Sequence, residues 1–149
     1  MKRRARPPQR LLLTTLALLV AVPAVADFGS YENHQLDGNT LVVTTDRGAL
    51  RIAAVDDGAF EVHYVEPGIR QLPSFALAQR ADDVATVLST TETHLEFSVP
   101  GLTAIISKSP LTIEYYRGDE PLFSEEHGYF AYDTTRGFRF DLDAGEKIM

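Results

Sequence analysis

The sequence contains no cysteine among its 149 residues. Without cysteine the chain can form neither a disulfide scaffold nor a zinc site with thiolate ligands, so its fold must be stabilised by a hydrophobic core. The sequence also lacks a glycine-rich phosphate loop and the Gly-x-Ser-x-Gly motif that presents a nucleophilic serine. No cofactor and no metal ion are therefore predicted.

Long hydrophobic runs are absent as well. The longest apolar run, residues 11–22, is about 12 residues long and falls short of the roughly 18 to 20 that a membrane-spanning helix needs. Basic residues precede this run, and the small residues Ala24-Val25-Ala26 follow it. The pattern predicts a signal peptide over residues 1–26 and export to the periplasm or the medium, with no membrane span once it is removed. The Arg3-Arg4 pair leaves the twin-arginine route open beside the general secretory route.

Basic residues are scarce in the rest of the chain. Residues 27–149 hold nine Lys or Arg and 21 Asp or Glu, a formal charge of −12, because five of the 14 basic residues lie in the predicted signal peptide. A domain with this charge repels the phosphate backbone of nucleic acids. Nucleic acid is therefore excluded as a partner.

The pattern that is present is typical of an all-β protein. From residue 41 onward, short segments of alternating apolar and polar residues are separated by Gly, Pro and Asp turns at a spacing of roughly 8 to 12 residues. Eight or nine strands are expected, forming an antiparallel β-sandwich or barrel. Residues 27–40 are polar and are expected to form a lead-in over the domain, residues 125–136 an acidic connection, and Phe138, Phe140 and Leu142 the apolar side of a half-buried last strand.

Histidine and carboxylate residues give weak signals. His127 follows Glu125-Glu126 and could in principle join a metal site, but a solvated loop is the favoured interpretation. Glycosidic hydrolysis uses two carboxylates, and Asp141 and Asp143 lie two residues apart in the last strand. A solvent-facing strand explains that pair more simply, so no catalytic residue is predicted.

An aromatic cluster in the connection before the last strand gives the candidate binding site. Tyr129, Phe130 and Tyr132 are candidate carbohydrate-binding residues, because aromatic rings can stack on sugars. Tyr115 and Tyr116 could do the same, but in a strand they are more simply explained as core residues.

The order of several short segments in the second half of the chain resembles a known family. These segments are residues 108–113 (KSPLTI), Pro121-Leu122-Phe123, Gly128-Tyr129, residues 138–142 (FRFDL) and residues 145–148 (GEKI). Together they are similar to the amino-terminal domain of glycoside hydrolase family 31, the α-glucosidase and α-xylosidase family. Residues 60–64 and 73–77 also fit, so the resemblance covers residues 41–149.

The resemblance implies a β-sandwich of the galactose-mutarotase-like kind that packs on a catalytic (β/α)8 barrel of the same parent protein. In the family the barrel carries both catalytic aspartates and acts with retention. This sequence matches no barrel motif and ends just as a new element begins, so we expect an amino-terminal portion of a longer enzyme, inactive alone. Two alternatives stay open: a free-standing module that binds oligosaccharides, and an envelope interaction protein without hydrolase activity.

Overall fold

The computed structural model describes residues 28–70, 72, 84–132 and 134–141, with the backbone alone at residues 126, 127 and 132. Within these ranges the chain forms ten strands in two antiparallel sheets. The first sheet contains β1 (Tyr31–Asp37), β2 (Thr40–Thr45), β3 (Gly48–Asp56) and β4 (Ala59–Val65). The second contains β5 (Val87–Thr90), β6 (His94–Val99), β7 (Leu102–Lys108), β8 (Leu111–Arg117), β9 (Glu120–Tyr132) and β10 (Thr135–Asp141).

Within each sheet, strands that follow one another in the sequence lie side by side. The spatial order is β1-β2-β3-β4 in the first sheet and β10-β9-β8-β7-β6-β5 in the second. Two-residue turns make this order possible, because they let a strand fold back directly on its predecessor. Gly38 and Gly118 open two of these turns with φ values of +55° and +58°, a conformation that glycine adopts without steric cost.

The core lies between the two sheets. In β6 the alternating residues Leu95, Phe97 and Val99 point inward, as do Leu111, Ile113 and Tyr115 in β8. The ring of Phe60 on β4 stacks on that of Phe97 on β6 at 5.3 Å, which joins one sheet to the other. The prediction of an antiparallel β-sandwich is confirmed.

Two predicted connections are strands in the structure. Residues 31–37, expected to belong to a polar lead-in, form the edge strand β1, which is held by backbone pairing with β2. Its residues are polar or exposed on both faces, so the alternation that reveals a half-buried strand is missing. Residues 125–132, expected to belong to an acidic connection, are the second half of the 13-residue strand β9.

The last strand is placed as expected but is more exposed. Strand β10 is an edge strand of the second sheet. The side chain of Phe138 is 46% exposed, whereas that of Phe140 is half-buried. Leu142 and Asp143 lie outside the described residues, as does the predicted signal peptide at residues 1–26. Within the described ranges, no helix has the length and apolar character needed to cross a lipid bilayer.

Candidate functional site

A buried carboxyl group stands between the sheets. Glu125 on β9 is 6% exposed. Its Oε2 atom accepts a hydrogen bond of 2.7 Å from the Tyr64 hydroxyl on β4 and one of 3.1 Å from the Ile113 amide on β8. One oxygen atom therefore connects three strands that belong to both sheets.

Burial controls the ionisation of this group. Removal from water raises the pKa of Glu125 to about 7, although the hydrogen bonds from Tyr64 and Ile113 favour the charged form and act in the opposite direction. Burial also raises the pKa of the Tyr64 and Tyr115 phenols, and the nearby Glu125 charge adds to both shifts. The carboxyl therefore changes its charge near neutral pH, while both phenols remain protonated there.

A β-bulge in β9 follows Glu125 directly. Gly128 has a φ of +68° and lies so close to β8 that a Cβ atom would fall within 3.0 Å of the Leu111 carbonyl oxygen. On either side of Gly128, Phe138 pairs with Tyr129 and Phe140 pairs with Glu125, so an advance of two residues along β10 corresponds to four residues along β9. The last described pair between β8 and β9 is Glu114 with Ser124, and just past it the Glu125 side chain accepts the Ile113 amide hydrogen. The side chain thus satisfies a backbone donor at the bulge.

Three aromatic rings pack beside the buried carboxyl. Phe28, Tyr64 and Tyr129 lie with their ring centroids 5.0 Å apart in each pair. The Tyr129 hydroxyl donates to Glu66, whose other carboxyl oxygen lies 3.5 Å from Nε of Arg136. Burial raises the pKa of Tyr129 to about 12, and the hydrogen bond to Glu66 contributes.

Beside the buried carboxyl, aromatic side chains become exposed. Phe123 contacts Phe140 at a centroid distance of 5.0 Å, and Phe140 contacts Phe138 at 4.9 Å. We call these three residues the exposed aromatic row, since Phe123 and Phe138 are 37% and 46% exposed. Phe123 also contacts the buried ring of Tyr115 at 4.5 Å, so the row continues outward from the core.

Comparison with protein families identifies the domain. The family model described as the glycosyl hydrolase 31 N-terminal galactose mutarotase-like domain matches residues 49–148. The chain belongs to this family. The two-sheet architecture agrees with a galactose mutarotase-like sandwich, and the described residues form sheets without a catalytic barrel. No curated protein matches the chain.

The three aromatic residues predicted to bind carbohydrate do not share one environment in this family 31 domain. Tyr129 is 8% exposed and belongs to the core, where its ring contacts Phe28 and Tyr64. Phe130 is half-buried, with the Arg139 guanidinium 5.7 Å from its ring centroid. The side chain of Tyr132 lies outside the described residues, so carbohydrate stacking stays a prediction.

The carboxylate residues considered in the sequence analysis do not share one environment either. Asp141 is exposed at the end of β10. Glu125 was expected in a solvated loop, and that interpretation is wrong because the residue lies in a strand and is buried. Within the described part of the chain, no group of three or more His, Asp or Glu residues could hold a metal ion.

Sequence reasoning missed the carboxyl and phenol at the centre of the site. The available signal was the alternation of faces along a strand. Phe123 is the direct cross-strand partner of Tyr115, and Glu125 follows Phe123 by two residues, so all three side chains occupy the same face. A strand extended through Leu122-Phe123 would have placed Glu125 on the inner face. Two adjacent acidic residues followed by histidine favoured a loop instead.

Proposed function

We propose that this chain is the non-catalytic N-terminal domain of an exported family 31 α-glycosidase, in which it supports the catalytic barrel and shapes the substrate entrance. The family match over residues 49–148 is the observation that carries the proposal. The predicted signal peptide at residues 1–26 supports export to the periplasm or the medium.

The exposed aromatic row supports a docking role. Phenylalanine side chains left in water lose the free energy that burial would supply, roughly 25 cal/mol per Å² of apolar surface. Phe123, Phe138 and Phe140 form one connected row at the β9 and β10 end of the second sheet. A row of this kind marks a surface for another protein domain, and the family assignment makes the barrel of the parent protein the proposed partner.

The location of Glu125 supports the non-catalytic part of the proposal. A general acid needs to reach the leaving oxygen of its substrate, and glycosidic hydrolysis adds a second carboxylate. Glu125 is buried between the sheets and accepts hydrogen bonds from the Tyr64 hydroxyl and the Ile113 amide. The pKa of Glu125 near neutrality is therefore a consequence of its burial, and we assign the hydrolysis to the barrel.

The test requires the parent protein. The coding DNA is first translated in frame past Met149, and a barrel should be found. Phe138→Ser is then introduced into the parent enzyme, with Val87→Ser as the matched control, because Val87 is 67% exposed on the opposite edge of the same sheet. Phe138→Ser should lower the thermal midpoint and the α-glucosidase or α-xylosidase activity, whereas Val87→Ser should change neither. Equal effects of the two variants, or a frame without a barrel, would contradict the proposal.

Carbohydrate binding is a second candidate function. Phe130 supports it, because its half-buried ring adjoins a guanidinium that can donate hydrogen bonds to sugar hydroxyls. Calorimetric titration with malto-oligosaccharides and xyloglucan oligosaccharides should then detect affinity that Phe130→Ala and Tyr132→Ala remove and Tyr116→Ala retains. If the wild-type chain binds none of these sugars, the binding-module alternative fails and an interaction module without a sugar ligand takes its place.

A further inference from the structure

The Glu125 carboxyl joins β4, β8 and β9 through one oxygen atom. The bond to Tyr64 crosses from the second sheet to the first, between residues 61 positions apart in the sequence. The bond to Ile113 holds β9 to β8 beside the bulge. We call Glu125 and Tyr64 the intersheet clasp, because their hydrogen bond joins the two sheets.

The titratable groups around the intersheet clasp are mostly phenols. Tyr64 faces Glu125 from β4, and Tyr115 faces it from β8. Glu66, which forms an ion pair with Arg136, accepts a hydrogen bond from the Tyr129 hydroxyl. Among the described residues, the groups that set the ionisation of Glu125 include no cation, so burial outweighs the two hydrogen bonds it accepts.

We propose that the intersheet clasp is a pH-dependent switch. The two sheets are held together most firmly when Glu125 is protonated, and they separate more readily between β4 and β9 when Glu125 ionises. An ionised carboxylate between two sheets favours conformations that admit water to it. A neutral carboxyl removes that tendency and still accepts hydrogen bonds through its carbonyl oxygen. The switch therefore responds to the pH of the compartment in which the domain is found.

The direction of the effect follows from proton linkage. The pKa of Glu125 is about 7 in the folded chain, above the value of 4.5 for an unperturbed glutamate side chain. A group whose pKa is raised on folding contributes stability that is fully present below its unfolded pKa and is lost as the pH rises through its folded pKa. The stability supplied by Glu125 is thus present below about pH 4.5 and is lost on the way to about pH 7.

The position of Glu125 connects the intersheet clasp to the exposed aromatic row. Glu125 on β9 is the direct cross-strand partner of Phe140 on β10, so the two side chains occupy the same face of the sheet. Separation of the sheets at Glu125 would therefore also loosen the packing of the exposed aromatic row. Acidic conditions should hold the row in a fixed arrangement, and alkaline conditions should make it more mobile.

The experiment measures the carboxyl directly in the full chain. The carboxyl carbon of Glu125 is followed by ¹³C NMR from pH 4 to pH 9 and is assigned by its disappearance in Glu125→Gln. A titration midpoint near pH 7 is expected. A midpoint in the ordinary range for glutamate, around 4.3, would overturn the proposal even if the variant fails to fold, because the wild-type spectrum alone decides it.

Urea denaturation over the same pH range tests the consequence for closure. Between pH 5 and pH 8 the contribution of Glu125 should raise the unfolding equilibrium constant of the wild-type chain by roughly 100-fold, and Glu125→Gln should lack this contribution. Glu120→Gln is the matched control, since Glu120 is exposed at the start of the same strand. A pH dependence that is the same in wild type and Glu125→Gln would refute the clasp. Since none of these readouts involves a barrel or a sugar, the outcome is independent of the proposed function.

Discussion

Replacement of Gly128 by alanine should destabilise the domain through two separable effects. Gly128 has a φ of +68°, and the left-handed conformation costs an alanine roughly 1–2 kcal/mol. The added Cβ would also fall within 3.0 Å of the Leu111 carbonyl oxygen, which is a backbone atom and cannot rotate away. Forcing β8 and β9 apart should cost about 1–3 kcal/mol more, as overpacking in a core does.

The unfolded chain offsets part of this cost. Alanine has less conformational freedom than glycine when unfolded, which returns about 0.4–1 kcal/mol. The net loss expected for Gly128→Ala is therefore about 2–4 kcal/mol in the free energy of unfolding. This is a large share of the 5–15 kcal/mol typical of a folded protein.

Gly118→Ala separates the two effects. Gly118 has a φ of +58°, but a Cβ placed there meets no heavy atom within 4 Å. It should therefore cost only the conformational part, about 1 kcal/mol. Urea denaturation followed by far-ultraviolet circular dichroism and by tyrosine fluorescence measures both variants, because the chain has six tyrosines and no tryptophan. If Gly128→Ala and Gly118→Ala lose the same free energy, the close approach to Leu111 has no energetic weight and the reasoning is refuted.

Two further substitutions test hydrogen bonds in the interior. Tyr64→Phe removes a hydrogen-bond donor to Glu125 and should lower the free energy of unfolding by about 1–3 kcal/mol. The loss should be greater at pH 8 than at pH 5, because the missing bond favoured the charged carboxylate. Urea midpoints at the two pH values measure this, and a loss independent of pH would contradict it. Thr45 is 5% exposed, and Thr45→Val leaves the Phe28 carbonyl and the Gly48 amide without its hydroxyl, which should cost about 1–3 kcal/mol. Thr45→Ser retains the hydroxyl and serves as the control, so equal losses in the two Thr45 variants would indicate a packing effect instead.

The sequence predicts most clearly the strands that bury one face. The alternation of Leu95, Phe97 and Val99 indicated β6 because those side chains fill the core while their neighbours meet solvent. Strand β1 was missed because it is an edge held by backbone pairing, for which side-chain polarity gives no signal. The core position of the carbohydrate candidate Tyr129 was missed because this residue belongs to a strand, whereas a connection was expected there.

The alternation of faces along β9 could have indicated which face Glu125 occupies, but its depth of burial and its hydrogen-bond partner could not be predicted from local sequence. Glutamate is rarely buried without a partner, and the partner here is Tyr64, which lies 61 positions away on the other sheet. The bulge at Gly128 depends likewise on how closely β8 and β9 approach one another. Both features are properties of how the sheets pack, and the order of residues along one strand does not specify that packing.

The sequential order of the strands has a consequence for how the domain folds. Every strand in each described sheet pairs only with strands adjacent to it in the sequence, so each sheet can assemble by adding one hairpin after another. Contacts of this kind close short loops and are formed rapidly, whereas contacts between the sheets close much longer ones. We therefore expect the kinetic barrier to lie at the docking of two largely preformed sheets, which makes the association of β4 with β9 a late event in folding.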